Sequence, residues 1–346
     1  FLAFSLCGLV LFFFLNHLMS SPISKIAFFG SDEISVPFLN FLKDQCPFVN
    51  VSAVLTQPDR RSGRGRKMAS NSIKTWAKNH SISYRSPEKP SEVECEWLRE
   101  LKIDLILVMA YGHILKKSFL TLAPAGCFNF HASILPKYRG ASPIETAIAM
   151  GEKNTGVTLM RVIPQMDAGP ILDFESVVVE RGDTGETVRS KIADSCVPLI
   201  QRNIQGLLDR NISERKQDHS NATYCRKINK MDGNIDFSAK ATHLVDRIRA
   251  FKSWPGCGFF IDGQKIRIGS AGSRPNNALL DIGLTQIDLD GNLVIGTGDG
   301  LLIPYELQRP GGKMLKVSDF LRGYDFPVGQ TLGSFEMSQL LLSSKE

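Results

Sequence analysis

The chain has 346 residues, of which 43% are hydrophobic and 22% are charged. This length and composition suit two globular domains with a buried core in each, and they exclude a chain that is disordered throughout. The net charge of +6 is compatible with a polyanionic partner, although many basic proteins bind no nucleic acid. The seven cysteines form no CxxC or CxxH pair, so the sequence indicates neither a zinc site nor a disulfide framework.

The chain begins with an apolar run of about fifteen residues that is short for a membrane span and lacks the basic start of a secretory signal. Met19 is followed by a segment typical of a cytosolic protein that opens on its first strand. We therefore expect residues 1–18 to be translated upstream sequence. A native membrane-associated extension is the alternative, and sequencing the N terminus of the native protein would decide between them.

Strands and helices alternate in the first part of the chain. Strands are predicted at residues 25–29, 49–55, 104–109 and 127–130, and helices at residues 33–42 and 72–80. Apolar strands in this alternation are typical of a doubly wound, Rossmann-like and mostly parallel sheet, with ligands at the carboxyl ends of its strands. No G-x-G-x-x-G follows the first strand, so the pattern does not favour dinucleotide binding.

A second pattern begins after residue 222. Before it, a helix is predicted at 144–150, strands at 157–163 and 171–179, and a long helix at 184–209. The polar stretch 210–222 resembles a linker. Short strands bounded by Asp-Gly turns follow, predicted at residues 257–261, 264–268, 287–289, 293–296 and 301–307, which favours a small β-barrel of the OB type or a sandwich. The predicted organisation is a catalytic domain at 19–209, a linker at 210–222 and a β-barrel domain at 223–346.

Three polar residues near the middle of the chain suit acyl transfer. Asn129 and His131 are two residues apart, so on a strand their side chains share one face, and Asp167 follows in a turn that contains glycine. Asn129 can donate to a developing oxyanion, His131 can hold or move a proton, and Asp167 can orient and charge the imidazole. Taken singly, each residue could equally be a turn former or a structural histidine.

The surrounding motifs resemble the formyltransferases that use 10-formyltetrahydrofolate. They are Asn-x-His-x-Ser-x-Leu-Pro-x-Tyr-Arg-Gly, then Thr-Gly-Val-Thr, then Met-Asp-x-Gly-Pro-Ile-Leu. The resemblance implies that Asn129, His131 and Asp167 are catalytic and that no metal is required. It also implies two folate-binding segments. The first contains Ser133, Ile134, Leu135 and Pro136. The second lies at the end of the third apolar strand and contains Tyr111, Gly112, His113 and Leu115, of which His113 could instead be a packing residue.

A long basic connection follows the second predicted strand. Residues 60–67 contain five cations, with a glycine on each side of Arg64. Such a loop is either a solvated surface or a phosphate-binding segment. It resembles the insertion by which methionyl-tRNA formyltransferases hold the acceptor stem, with Arg64 at the position of the key arginine, and this resemblance implies tRNA contacts by Arg60, Arg61, Arg64, Arg66 and Lys67.

The last third of the chain resembles the C-terminal part of the same family. The matching text includes Thr223-Tyr224, Trp254-Pro255-Gly256 and Gly298-Asp299-Gly300, whereas Cys225, Arg226 and Lys252-Ser253 depart from the usual family residues. Formyltransferases of purine synthesis lack such a tail. The departures do not touch the three residues expected to carry the chemistry.

The resemblance implies formyl transfer from 10-formyltetrahydrofolate to the α-amino group of initiator methionyl-tRNA. Residues 1–18 show no Arg-rich amphipathic transit pattern and nothing in the apolar pattern demands a partner, so we expect a cytoplasmic, monomeric enzyme that uses no membrane. An alternative in the same family is transfer to an amino sugar nucleotide or another small amine. Alternatives of other classes are an inactive tRNA-binding protein and a nicotinamide oxidoreductase. The intact Asn129, His131 and Asp167 disfavour the first, and the missing glycine fingerprint disfavours the second.

Overall fold

The computed structural model describes residues 23–62 and 67–342. The predicted upstream extension at 1–18 therefore lies outside the described residues. Within the described ranges, ten strands precede residue 180: β1 (Ser24–Gly30), β2 (Val49–Leu55), β3 (Arg60–Ser62), β4 (Lys67–Ala69), β5 (Ser83–Arg85), β6 (Leu105–Met109), β7 (Cys127–His131), β8 (Arg139–Gly140), β9 (Asn154–Arg161) and β10 (Ile171–Val178).

Seven of these strands form one sheet in the order β10-β9-β7-β6-β1-β2-β5. The strands from β7 to β5 are parallel, whereas β9 runs antiparallel to β7. Every residue of β6 is buried, as are the last five residues of β1, which explains their unbroken apolar sequences. The doubly wound, mostly parallel sheet predicted from the sequence is confirmed.

Helices connect and cover the strands of the sheet, and several begin at a recognisable cap. Asn71 accepts from the backbone N–H of Lys74, and Ser91 forms a capping box with Glu94. The helices of the first part of the chain are α1 (Val36–Gln45), α2 (Ser72–Asn79), α3 (Glu92–Glu100), α4 (Lys117–Leu120), α5 (Pro143–Ala149) and α6 (Gly185–Leu208).

The remaining elements are mostly antiparallel strands. They are β11 (Tyr224–Cys225), α7 (Ala241–Ala250), β12 (Gly258–Ile261), β13 (Gln264–Arg274), β14 (Thr285–Ile287), β15 (Leu293–Gly296), β16 (Leu301–Gln308), β17 (Leu315–Lys316), α8 (Val317–Gly323) and β18 (Leu341–Leu342).

The strands β12-β13-β16-β15-β14 pair in that order into a curled antiparallel half-barrel, and β17 also pairs with β16. Asp262 and Gly263 both have positive φ and close the β12-β13 hairpin. The predicted barrel-type domain after the catalytic domain is confirmed. One strand predicted at 287–289 is instead observed at Thr285–Ile287, because Asp288 accepts backbone hydrogen bonds from Asp290 and Asn292 and turns the chain.

The described chain divides into two compact units. One contains residues up to 131 together with 158–175 and 193–217, and the other contains residues 132–157, 176–192 and 218 onwards. The domain limits expected from the sequence, 19–209 and 223–346, stay a prediction. Among residues 23–62 and 67–342, no helix combines the length and the apolar character that crossing a membrane requires.

Candidate active site

Strand β7 places Asn129 and His131 on one face of the sheet. Asn129 pairs in register with Met160, and His131 pairs with Thr158, so antiparallel β9 fixes both positions. The intervening Phe130 points to the opposite face, where its ring stacks on Phe38 with centroids 4.9 Å apart. Period-two alternation thus anchors the strand in the core through phenylalanine and leaves the two polar residues on the other side.

Asp167 reaches His131 from the loop between β9 and β10. Its Oδ2 atom lies 3.6 Å from Nδ1 of His131, and the two side chains are 15% and 6% exposed. This distance is longer than a direct hydrogen bond but short enough for a strong electrostatic contact in a site that is largely shielded from water. The structure therefore brings together the histidine and the carboxylate that the sequence predicts to act as a pair.

The side-chain amide of Asn129 is half-buried and makes no hydrogen bond with any residue in the described part of the chain. The amide nitrogen of Asn129 is not a fully enclosed atom without a hydrogen-bond partner, so it keeps some accessible surface. A donor in this situation is accessible to a ligand and keeps its hydrogen-bonding capacity for it. Asn129 thus has the properties of an oxyanion donor.

The loop at 162–170 carries Asp167, and its backbone is constrained. Asp167 has φ +50°, in the left-handed region, and a Cβ on Gly169 would overlap the carbonyl oxygen of Arg161. Gln217 donates from Nε2 to the carbonyl oxygens of Asp167 and Gly169, at 2.9 and 2.7 Å. Sequence reasoning placed Gln217 in the polar linker and missed it, since no local signal marks a contact fifty residues away.

The expected folate segment after β7 forms a tight turn. Ser133 is fully buried, and its hydroxyl donates to the carbonyl oxygen of Lys137 at 2.7 Å. Leu135 is also buried and precedes Pro136 through a cis peptide bond, whereas Ile134 and Pro136 are half-buried. Ser133 and Leu135 therefore shape the turn, and Ile134 and Pro136 are the members with surface that a ligand can contact.

The second expected folate segment follows β6. Tyr111 and Leu115 are 3% and 8% exposed and belong to the hydrophobic core, where the Tyr111 ring lies 5.7 Å from that of Phe29. Gln57 donates to the carbonyl oxygen of Tyr111 at 2.9 Å, and Gly112 has φ +76°. Tyr111 and Leu115 thus pack inward, and this segment offers a ligand mainly its backbone.

His113 packs beside Tyr111, with ring centroids 5.0 Å apart. Burial lowers the pKa of His113, and the positive charge of Arg60 lowers it further. Its Nε2 atom is enclosed and has no hydrogen-bond partner among the residues that the structure describes. These features suit a neutral imidazole in an apolar setting.

The basic connection folds into a hairpin of β3 and β4, in which Arg61 pairs with Met68. Arg60 forms two hydrogen bonds with Glu88, from Nη2 to Oε2 at 2.6 Å and from Nη1 to Oε1 at 3.3 Å. Arg60, Arg61 and Lys67 are all exposed. Arg64 and Arg66, the other two expected tRNA contacts, lie outside the described residues.

Thiol chemistry and metal chemistry are the two alternatives for this region of the chain. Cys127 is almost fully buried on β7, and burial raises the pKa of its thiol well above the ordinary value, so it is not a thiolate nucleophile. Within residues 23–62 and 67–342, no cluster of three or more His, Cys, Asp or Glu side chains is arranged to hold a metal ion.

Comparison with known proteins matches both parts of the chain. The formyl transferase family model matches residues 24–204, and the model of the formyl transferase C-terminal domain matches residues 227–325. A methionyl-tRNA formyltransferase of Pseudomonas putida (strain GB-1) is 38% identical over 314 residues, which cover 89% of this chain and 99% of the relative. The enzyme of the same name from Thermotoga maritima is 36% identical over 298 residues, covering 84% and 92%.

Solved structures agree in fold. A sugar 3N-formyl transferase, WlaRD, crystallised with dTDP and 5-N-formyl-THF, has a TM-score of 0.62 at 21% identity and covers 84% of this chain and 99% of its own. The N-formyltransferase of Helicobacter canadensis, in complex with folinic acid and dTDP-3-aminofucose, also has a TM-score of 0.62 at 21% identity, covering 83% and 99%. From the domain matches and the relatives of nearly equal length, this chain belongs to the formyl transferase family.

Proposed function

We propose that this protein transfers the formyl group of 10-formyltetrahydrofolate to the α-amino group of methionyl initiator tRNA, giving formyl-methionyl-tRNA for translation initiation. The observation that carries the proposal is the set of relatives named methionyl-tRNA formyltransferase, which are 34–38% identical and match this chain over 92–100% of their own length. The arrangement of Asn129, His131 and Asp167 supplies the chemistry that such a transfer needs.

The transfer forms a bond between the amine nitrogen and the formyl carbon and breaks the bond from that carbon to N10 of the folate. Negative charge develops on the formyl oxygen, and one proton must move from the amine to N10. A hydrogen-bond donor can stabilise the charge on the formyl oxygen, and a group that takes up and releases a proton can carry it to N10. The reaction therefore needs no oxidant or reductant.

Asn129 donates a side-chain N–H to the formyl oxygen as its charge develops. The accessible amide of Asn129, which has no bond to another described residue, fits such an oxygen. His131 adds a second donor and carries the proton to the leaving nitrogen, while Asp167 orients the imidazole from 3.6 Å. The residues that the family resemblance implies for folate contacts are Ser133, Ile134, Leu135 and Pro136 in one segment and Tyr111, Gly112, His113 and Leu115 in another.

A tRNA is favoured over a small amine by two features of this chain. The exposed basic hairpin with Arg60, Arg61 and Lys67 offers guanidinium and ammonium groups to phosphates, and Arg64 and Arg66 extend the same segment beyond the described residues. Residues 227–325 match the formyl transferase C-terminal domain, and we propose that this domain is the second tRNA-binding part of the chain. We further propose a cytoplasmic enzyme that works as a monomer.

The experiment uses the purified chain with 10-formyltetrahydrofolate and three acceptors: initiator methionyl-tRNA, elongator methionyl-tRNA and a dTDP-linked amino sugar. Formyl-methionine released from the tRNA and formylated sugar are measured separately. Formylation of the initiator tRNA at a rate far above that of the other two is the expected result. Preferential formylation of the sugar would replace the proposal with the small-amine alternative, and no transfer to any acceptor would reject formyl transfer.

A further inference from the structure

Gln217 makes two hydrogen bonds that converge on the loop at 162–170. Its Nε2 atom donates to the carbonyl oxygen of Asp167 at 2.9 Å and to that of Gly169 at 2.7 Å, and the side chain is 7% exposed. Only the NH₂ end of a glutamine amide can donate to two carbonyl oxygens, so these contacts fix the orientation of the amide. The two bonds span the Asp167 turn and hold its carbonyls together.

The residues just before Gln217 are tied to the two ends of the same loop. Glu214 accepts from Nε of Arg161 at 2.7 Å, where β9 ends. Arg215 exchanges two backbone hydrogen bonds with Ile171, each 2.8 Å long, where β10 begins. The segment 214–217 therefore lies along the whole loop, and Gln217 contacts its centre.

The two ends of the loop are also held by backbone hydrogen bonds, from the N–H of Val162 to the carbonyl oxygen of Cys127 at 2.9 Å and from the N–H of Arg161 to that of Pro170 at 3.0 Å. Asp167 has φ +50°, a conformation that aspartate tolerates but does not prefer, so its backbone must be held by its surroundings. Gly169 packs so closely on the Arg161 carbonyl that no side chain fits there, which leaves the loop without a side-chain anchor at this position. Because Cβ direction follows from φ and ψ, the backbone of Asp167 determines where its carboxylate points.

From these contacts we propose that Gln217 is a positioning residue, which holds the Asp167 loop so that the carboxylate of Asp167 faces His131. This inference rests on the function proposed above. It assigns no contact with substrate to Gln217, whose effect passes entirely through Asp167. A displacement of the order of 1 Å at a reacting group can cost about 100-fold in rate, so loss of the two bonds should be measurable in turnover.

The test is a double-mutant cycle on formylation of initiator methionyl-tRNA. Gln217→Met keeps the length of the side chain and removes both donors, and Asp167→Asn removes the charged group that Gln217 is proposed to position. Gln205→Met is the matched control, since Gln205 is exposed on α6 and its amide contacts only the nearby Asp209 among the described residues. We expect Gln217→Met to lower kcat about 10-fold to 100-fold with KM for tRNA and folate nearly unchanged.

In the Asp167→Asn background, Gln217→Met should cause no further loss of kcat, because its partner in catalysis is already absent. An equal loss in both backgrounds, or a rise in KM instead of a fall in kcat, would show a structural role and overturn the proposal. If Asp167→Asn alone keeps full activity, the site assigned under the proposed function fails instead, which distinguishes the two failures.

Should Gln217→Met not fold, Gln217→Glu provides the second variant. An ionised carboxylate cannot donate to either carbonyl, whereas the protonated acid can donate to one. The activity of Gln217→Glu relative to the unsubstituted protein should therefore be lowest at neutral pH and recover as the pH falls. Relative activity equal to that of the unsubstituted protein at every pH would overturn the proposal.

Discussion

Asp167 places a carboxylate oxygen 3.6 Å from Nδ1 of His131, although the first residue lies on a loop and the second at the end of a central strand. Both side chains are largely shielded from water, so their interaction is screened less than that of a surface ion pair. A carboxylate in this position fixes the orientation of the imidazole ring.

Asn129→Ala should lower kcat for formylation about 100-fold to 1000-fold, because removal of one oxyanion donor generally has this effect. KM for tRNA should stay nearly constant, since Asn129 lies on the sheet and not on the basic hairpin. Steady-state kinetics with both substrates varied measure the two effects. Asn50→Ala, at an exposed position of β2, is the control. A kcat within a few-fold of normal for Asn129→Ala would remove Asn129 from the mechanism.

Gly169→Ala should destabilise the protein by about 1–3 kcal/mol and reduce activity, since the added methyl group overlaps the carbonyl oxygen of Arg161 and must displace the Asp167 loop. Gly182→Ala is a matched control, because nothing lies within 4 Å of a Cβ built at that position. Urea denaturation and kcat are measured for both. Equal stability of the two variants would contradict the close packing described for Gly169.

Glu88→Gln should strengthen tRNA binding at low salt, because it releases Arg60 from a pair that competes with phosphate. Arg60→Ala should weaken tRNA binding and reduce its salt dependence by about one phosphate contact. Arg99→Ala is the control, as Arg99 is exposed and paired with Glu92 in a similar way. Binding is measured from 50 to 200 mM salt by filter retention. Identical salt slopes for Arg60→Ala and Arg99→Ala would argue against a phosphate contact at Arg60.

Asp232 should make the free energy of unfolding depend on pH in the acidic range. Its carboxylate is fully buried; burial alone would raise its pKa, but hydrogen bonds from Arg226 and from the backbone of Asn229, together with the charge of Arg247, hold the pKa below the ordinary value. The contribution to folding is therefore complete above the unfolded pKa of about 3.9 and is lost as the pH falls through the lower, folded value.

Asp232→Asn should cost about 3–5 kcal/mol at pH 7, because it leaves two arginines facing a neutral group in a buried position. The difference in the free energy of unfolding between Asp232→Asn and the unsubstituted protein should shrink as the pH falls below about 4. Chemical denaturation across this range measures it, with the exposed Asp44→Asn as control. A difference that does not change with pH would contradict the assignment of this pKa.

Much of the fold follows from local pattern. The predicted strands at 49–55 and 293–296 agree with β2 and β15. The first alternates buried apolar and more exposed polar residues before a buried apolar end, and the second is a short run of buried residues. Helix α3 was missed: its sequence is half acidic or basic, and one of its four buried residues is Glu94, which serves the capping box and not the core. Helix α7 was missed as well, with Arg247 among its buried residues.

The site was predicted only in part. Asn129, His131 and Asp167 stand in motifs that can be read along the chain, and the structure brings the last two together. Tyr111 and Leu115 were expected at a ligand, and their inward packing depends on core neighbours that no local window contains. Gln217 could not be predicted from the sequence, because its side chain contacts two carbonyl groups that lie 48 and 50 residues earlier in the chain.

The contacts of residues 214–217 have a consequence for the smallest active fragment. A chain cut at the end of α6 keeps all seven strands of the large sheet and the three residues of the proposed mechanism. It loses the ion pair to Arg161, the backbone bonds to Ile171 and both bonds from Gln217. Such a fragment would lack the contacts that hold the Asp167 loop, so we expect the boundary of a catalytically active fragment to fall after Gln217 and not at the last turn of the helix.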